Sequence, residues 1–113
     1  VISLSDLLTP WSLIEKRLEA TASADFVIVL YNPGSHKRRD YLRKACNTVL
    51  KYKSPDTICG LVKNISRDGE EHSIITLDRL KDTPVDMLTT IFIGNSQTTV
   101  INGKMVTPRG YQL

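Results

Sequence analysis

Apolar positions along the chain follow two rhythms. Trp11, Ile14 and Leu18 recur at helical spacing, with Glu15, Lys16, Arg17 and Glu19 on the wet side, which predicts an amphipathic helix. Thr9-Pro10 supplies its start as N-cap and first helical position, and its end is expected near Ala22, before the connector Ser23-Ala24-Asp25. The rhythm then changes. Phe26 to Leu30 is an unbroken, β-rich apolar run, and the lack of alternation predicts a central strand of an α/β sheet, covered on both faces. Pro33-Gly34 breaks it and Ser35 is a candidate cap for a second helix. Tyr41/Leu42, Ala45/Cys46 and Val49/Leu50 repeat every four residues, a core stripe, which stops before Ser54-Pro55-Asp56.

Thr57 to Val62 reads as the next strand, and the strand–helix–strand unit has the length of a right-handed βαβ crossover. Asp68-Gly69 marks a turn, after which His72 to Leu77 is expected to return as an antiparallel strand. Leu77 to Leu88 fits no one element, and Pro84 limits any helix there to short pieces. Thr90 to Ile93 is a further strand ended by Gly94, and Asn102-Gly103 between two short apolar-containing runs is a strong type I′ hairpin signal.

Composition narrows the class. At 113 residues, with 41% hydrophobic and 24% charged residues, the chain suits one compact domain with a real core. No apolar run approaches the roughly 20 residues of a membrane-spanning helix, and no signal peptide is visible. The opening "VISLSDLLTPW" begins with Val1 and looks mid-fold, so a piece of a longer polypeptide is expected. The net charge of +3 permits an anionic partner without requiring one. Cys46 and Cys59 are too far apart for a CxxC motif and read as buried small hydrophobes in a reducing compartment. With only two scattered histidines beside them, no metal site is expected.

The candidate chemistry lies where strands end. Three apolar runs pass into Tyr31-Asn32, Lys63-Asn64 and Gly94-Asn95. If the strands are parallel, the three asparagines share one edge at the C-terminal ends, where open α/β sheets bind ligands. Asn also tolerates the left-handed backbone region and simply terminates strands, and both readings stand. GxGxxG, phosphate-binding GKS/T, GxSxG and HExxH patterns are absent. Asp6 in a loop-like stretch reads first as a cap or solvent-facing group, Glu70-Glu71 as a solvated edge, and Trp11 as core packing or a pocket wall. The basic run His36, Lys37, Arg38, Arg39 follows "YNPGS". It admits three readings: a solvated helix start, a grip on nucleic-acid phosphates, or bidentate contacts to the carboxylates of a small anionic substrate.

The blocks "ISLSDLLTPW", "DFVIVLYNPGSHKR" and "IFIGNSQTTVINGKMVTPRGY" together resemble the C-terminal half of the tetrapyrrole methyltransferases of cobalamin biosynthesis, over nearly the whole chain and in family order. The resemblance implies two α/β domains with S-adenosylmethionine folded in the cleft between them. Residues 1–113 would be the C-terminal one. It would be a three-layer domain with a mixed, mostly parallel five-stranded sheet flanked by helices. The implied activity is transfer of a methyl group to a ring carbon of a tetrapyrrole, in the cytoplasm, by a homodimer, with no nucleic acid or membrane involved. Carried over by position, Ser3, Leu4, Leu30, Tyr31, Asn64, Ile65, Gly94 and Asn95 would contact the cofactor. His36, Lys37, Arg38, Arg39 and Arg67 become candidates for substrate carboxylates. Gly34 stands where the family often has Arg. No residue present is marked as a catalytic base. The family's glycine-rich N-terminal loop is not in this sequence, so the chain by itself is expected to lack activity. Two rival readings are a nucleic-acid-binding α/β module using 36–39 and a non-catalytic domain of a fused polypeptide.

Overall fold

The computed structural model describes residues 1–5, 9–33, 40–64 and 68–108. Its first strand is one that hydrophobic periodicity does not announce. Ile2–Ser3 (β1) lies parallel to Ile28–Tyr31 (β2), with Ile2 opposite Leu30 and Ser3 opposite Tyr31. Two residues are too few to show a period of two.

Helix α1 spans Trp11–Ser23. Pro10 is its N-cap rather than its first helical residue, because Pro10 is extended at ψ 144° while its carbonyl already accepts from the Leu13 and Ile14 N–H groups. Ile14, Leu18 and Ala22 form the buried stripe, and Trp11 stacks on Tyr41 with ring centroids 4.8 Å apart. The helix ends in Asp25 at φ 61°. Helix α2, Tyr41–Val49, buries Leu42, Ala45, Cys46 and Val49 on the expected stripe, and Thr48 beside them. Its N-cap is Asp40, while the expected cap Ser35 lies outside the described residues.

Ile58–Lys63 (β3) turns through Asp68-Gly69 into Glu71–Thr76 (β4), antiparallel as expected. One helical turn, Leu77–Leu80 (α3), occupies the ambiguous stretch, and Thr89–Ile93 (β5) follows. Thr99–Ile101 (β6) and Lys104–Val106 (β7) form a separate hairpin. Asn102 and Gly103, at φ 51° and 74°, occupy its turn, both positive as a type I′ turn demands.

The five-stranded sheet has the order β1-β2-β5-β3-β4. It is mixed and α/β, as expected, but its pairing corrects the reading from the strand ends. β5 inserts between β2 and β3 and runs antiparallel to both. β1, β2 and β3 therefore point one way and β4 and β5 the other, and β1–β2 is the one parallel pair among the described strands.

The three-layer expectation also needs correction. Ile28 and Leu30, Cys59 and Leu61, and Ile91 and Ile93 share one sheet face by register, and all three helices join them in a single buried cluster. On the other face Val29, Phe92, Gly60 and Ile74 stand in a row across four strands. Only the β6–β7 hairpin covers that face among the described residues, and Val27 and Ile74 remain exposed. The unbroken run Phe26–Leu30 thus has one face in the core and the other largely open.

Candidate functional site

The sheet has two ends, and the antiparallel β5 divides the candidate residues between them. At the first end β1, β2 and β3 finish together and β5 begins, Thr89 standing opposite Lys63. Ser3, Leu4, Leu30, Tyr31, Asn32 and Asn64 collect here. Leu4 and Leu30 are fully buried in the core, and the Leu4 N–H is bonded to the Tyr31 carbonyl at 3.0 Å. These two can therefore shape a site chiefly as its floor. The polar atoms come from Ser3 and Asn32. The Asn32 amide donates to the Ser3 hydroxyl at 3.1 Å, and that hydroxyl also accepts from the Ser5 N–H at 3.2 Å. Tyr31 is half exposed beside them.

Asn32 and Asn64 both adopt left-handed backbone, φ 53° and 57°. The strand-terminating reading of these residues holds: each turns the chain out of its strand as only Gly, Asn and Asp do cheaply. On the β3 side the Asn64 N–H donates to the Leu88 carbonyl at 3.1 Å and its amide reaches the Gly69 carbonyl at 3.4 Å. Lys63 pairs with Asp86 at 3.0 Å. That hydrogen bond raises the lysine above its ordinary value and holds the aspartate below the usual carboxylate range. Asp86 in turn caps the entry to β5, accepting from the Leu88 N–H and the Thr89 hydroxyl. The chain leaves this same end, after Pro33 and after Asn64, toward 34–39 and 65–67. Ile65, Arg67 and the basic residues 36–39 lie outside the described residues, as does Asp6.

Gly94 and Asn95 are at the opposite end, so the three asparagines do not share an edge. The reason is direction: β5 ends where β2 and β3 begin, and the Gly94 N–H donates to the Ile58 carbonyl at 2.8 Å. The polar groups of this loop bond to one another. Asn95 Oδ1 accepts from the Gln97 N–H at 2.9 Å and from the Thr98 hydroxyl, while the Asn95 N–H donates to Thr98 Oγ1 at 2.9 Å. Ser96 gives both its N–H and its hydroxyl to the Asp25 carboxylate, which holds that carboxyl below its ordinary value. Lys53 completes the clasp. Its side chain is 3% exposed, with Nζ 2.9 Å from the Phe26 carbonyl and 3.8 Å from Asp25. Burial lowers its pKa, opposed by the Asp25 charge. Thr98 finally bonds Thr107 at 2.7 Å, tying the loop to the far strand of the hairpin. "GNSQT" is thus a structural clasp, and sequence reasoning missed its partners. Asp25 and Lys53 carry no pattern, since one closes a helix and the other sits in a polar-looking turn.

A second feature was also missed. Between the open sheet face and the hairpin runs a groove of about 880 Å3, walled by residues that include Val27, Val62, Phe92, Val100 and Met105. Gly60 was its one legible signal, because glycine inside an apolar strand marks a close approach. A Cβ there would stand 3.2 Å from the Met105 sulfur.

Comparison with known proteins supplies the class. The structure of the methyltransferase CobJ superposes with a TM-score of 0.84 at 27% identity, over 95% of this chain and 45% of that one. The chain is 48% identical over 112 residues to the probable cobalt-factor III C(17)-methyltransferase of Salmonella typhimurium, covering 99% of this chain and 46% of that protein. It is 52% identical over 111 residues to the cobalt-factor III methyltransferase of Priestia megaterium, covering 98% of this chain and 21% of that protein. No family model matches. Over nearly its whole length the chain is therefore homologous to parts of proteins named as methyltransferases and for cobalamin biosynthesis. Both relatives described are named for cobalt-factor III, the Salmonella protein also for position C(17), and the chain spans less than half the length of each.

Proposed function

We propose that this chain is the C-terminal domain of a methyltransferase that uses S-adenosylmethionine to methylate precorrin-3B, or its cobalt form, at ring carbon 17 in cobalamin biosynthesis, with contraction of the macrocycle. The observation that carries the reading is 48% identity across 99% of the chain to a protein named as a probable cobalt-factor III C(17)-methyltransferase. In this reading the enzyme is a cytoplasmic homodimer acting on a free tetrapyrrole. No observation favours the nucleic-acid alternative.

The sulfonium of S-adenosylmethionine supplies an electrophilic methyl group, and in-line transfer needs placement more than covalent help. The end of the sheet formed by β1, β2 and β3 suits one wall of the cofactor cleft. The Ser3 hydroxyl, the Asn32 amide and the exposed Tyr31 ring offer polar and aromatic contacts over a floor of Leu4 and Leu30. Asn64, and Ile65 after it, would continue that wall. Gly94 and Asn95 would act indirectly, in the loop whose Ser96 holds Asp25 ahead of β2. His36, Lys37, Arg38, Arg39 and Arg67 follow strands that end at the cofactor wall, and a basic rim there suits a substrate rich in carboxylates.

The test is tetrapyrrole binding by the full-length enzyme carrying Arg38→Ala and Arg39→Ala. The reading expects binding of the carboxylate-rich substrate to weaken while S-adenosylhomocysteine binding is unchanged. Salt-dependent binding of DNA or RNA that the same two substitutions abolish would instead establish the nucleic-acid reading.

A further inference from the structure

At the end of the sheet where β1 and β2 finish stands a group whose hydrogen bonds can be counted, the Ser3 hydroxyl. A hydroxyl has one proton to give and two lone pairs with which to accept. Both lone pairs of Ser3 Oγ are taken, by the Asn32 amide at 3.1 Å and by the Ser5 N–H at 3.2 Å. Among the described residues no acceptor is bonded to its proton. Ser3 is half-buried, and the side chains of Leu4 and Leu30 beneath it are fully buried and apolar. A group arriving at Ser3 therefore finds a donor and no free lone pair. The Asn32 amide that creates this state is fixed from both sides. Before it, the Tyr31 carbonyl accepts from the Leu4 N–H at 3.0 Å, and Tyr31 is the register partner of Ser3. After it, Pro33 is fully buried. Asn32 itself stands at φ 53°, which Asn and Asp both tolerate. Asp would fit that backbone but has no N–H to give, so what Asn adds is the bond to Ser3.

We propose that Asn32 is a positioning residue: by filling a lone pair of Ser3 Oγ it makes that hydroxyl a donor only, and Ser3 then selects a hydrogen-bond acceptor on the cofactor. S-adenosylmethionine offers three kinds of acceptor, its carboxylate, its ribose oxygens and the ring nitrogens of adenine. Its ammonium and the exocyclic amino group of adenine are donors, and a donor placed against Ser3 would be left unpaired, at a cost. The inference rests on the methyltransferase reading. It adds the direction of one hydrogen bond at that site and the residue that sets it. It also separates two roles of Asn32: the backbone turn that ends β2, which Asp could supply, and the amide bond to Ser3, which Asp could not.

A double-mutant cycle on the full-length enzyme, read by calorimetric titration of S-adenosylhomocysteine, tests it. Asn32→Asp keeps the shape and the left-handed backbone but puts an acceptor where the donor was, and that acceptor claims the Ser3 proton. It should weaken binding by about tenfold, as Ser3→Ala does, with the melting temperature of the parent enzyme. Asn32→Gly, which keeps the backbone and removes the amide, should also weaken binding. In the Ser3→Ala background neither change at Asn32 should weaken binding further, since the group it positions is gone. Titration of methylthioadenosine, which lacks the amino-acid portion, then locates the acceptor. A Ser3→Ala effect that persists places it on the nucleoside, and one that vanishes places it on the carboxylate. Parental affinity in Asn32→Asp would reduce Asn32 to a strand terminator and overturn the proposal, as would losses that simply add in the double variants. A parent enzyme that binds no S-adenosylhomocysteine would overturn the methyltransferase reading itself, and the inference with it.

Discussion

Single residues decide where each strand stops and which neighbour it meets. Asn32, Asn64, Asn102 and Asp25 are the described non-glycine residues with positive φ, and each ends an element or makes a turn. Two glycines separate the possible reasons for glycine. At Gly103, φ 74° with open space where a Cβ would stand, alanine should cost about 1 kcal/mol through backbone conformation. At Gly94 a Cβ would lie 2.6 Å from Thr98 Oγ1 and 2.8 Å from the Ile58 carbonyl. Overpacking against backbone there should cost about 1–3 kcal/mol. Thermal denaturation should rank Gly94→Ala below Gly103→Ala. Asp25 gives a pH prediction. Its carboxyl is lowered by the Ser96 hydrogen bonds, so its contribution is present above the unfolded value of 3.8 and is lost as the pH falls through the folded one. Melting of Asp25→Asn should depend less on pH below about 4 than that of the parent chain.

Elements show what the sequence could and could not disclose. The α2 stripe, the β3–β4 return and the Asn102-Gly103 hairpin were legible because each is local: period, turn chemistry and partner lie within a few residues. β5 was legible as a strand but its direction was not. Its partners β2 and β3 are remote in sequence, and nothing in "TTIFI" tells parallel from antiparallel. That one unknown put Asn95 at the end opposite to the one where β2 and β3 finish. The open face was hidden for a related reason: an apolar run looks alike whether its second face meets helices, a hairpin or another molecule. The burial of the cysteines was legible from the α2 stripe and the β3 run. Both thiols are fully buried, and burial pushes each up to about 12. Cys46 and Cys59 should therefore react with a thiol reagent only as fast as the chain unfolds, and saturating denaturant should release both at once.

At the scale of the whole molecule, the proposed reading makes the end of the sheet where β1, β2 and β3 finish one wall of a cofactor cleft. The fold class followed from its helix and strand rhythms, but family and reaction came from three sequence blocks that physics alone does not decode. The chain by itself should show no turnover of tetrapyrrole and S-adenosylmethionine, measured as S-adenosylhomocysteine release. In the proposed reading the cofactor sits at the Ser3–Tyr31–Asn32 end, and "GNSQT" serves as a clasp away from it. Calorimetric titration of S-adenosylhomocysteine into the full-length enzyme tests this in one comparison. Ser3→Ala, which removes the hydroxyl that accepts from Asn32, should weaken binding by about tenfold, the worth of one such polar contact. Asn95→Ala should lower the melting temperature and leave the affinity unchanged. Affinity lost in Asn95→Ala and retained in Ser3→Ala would contradict this placement.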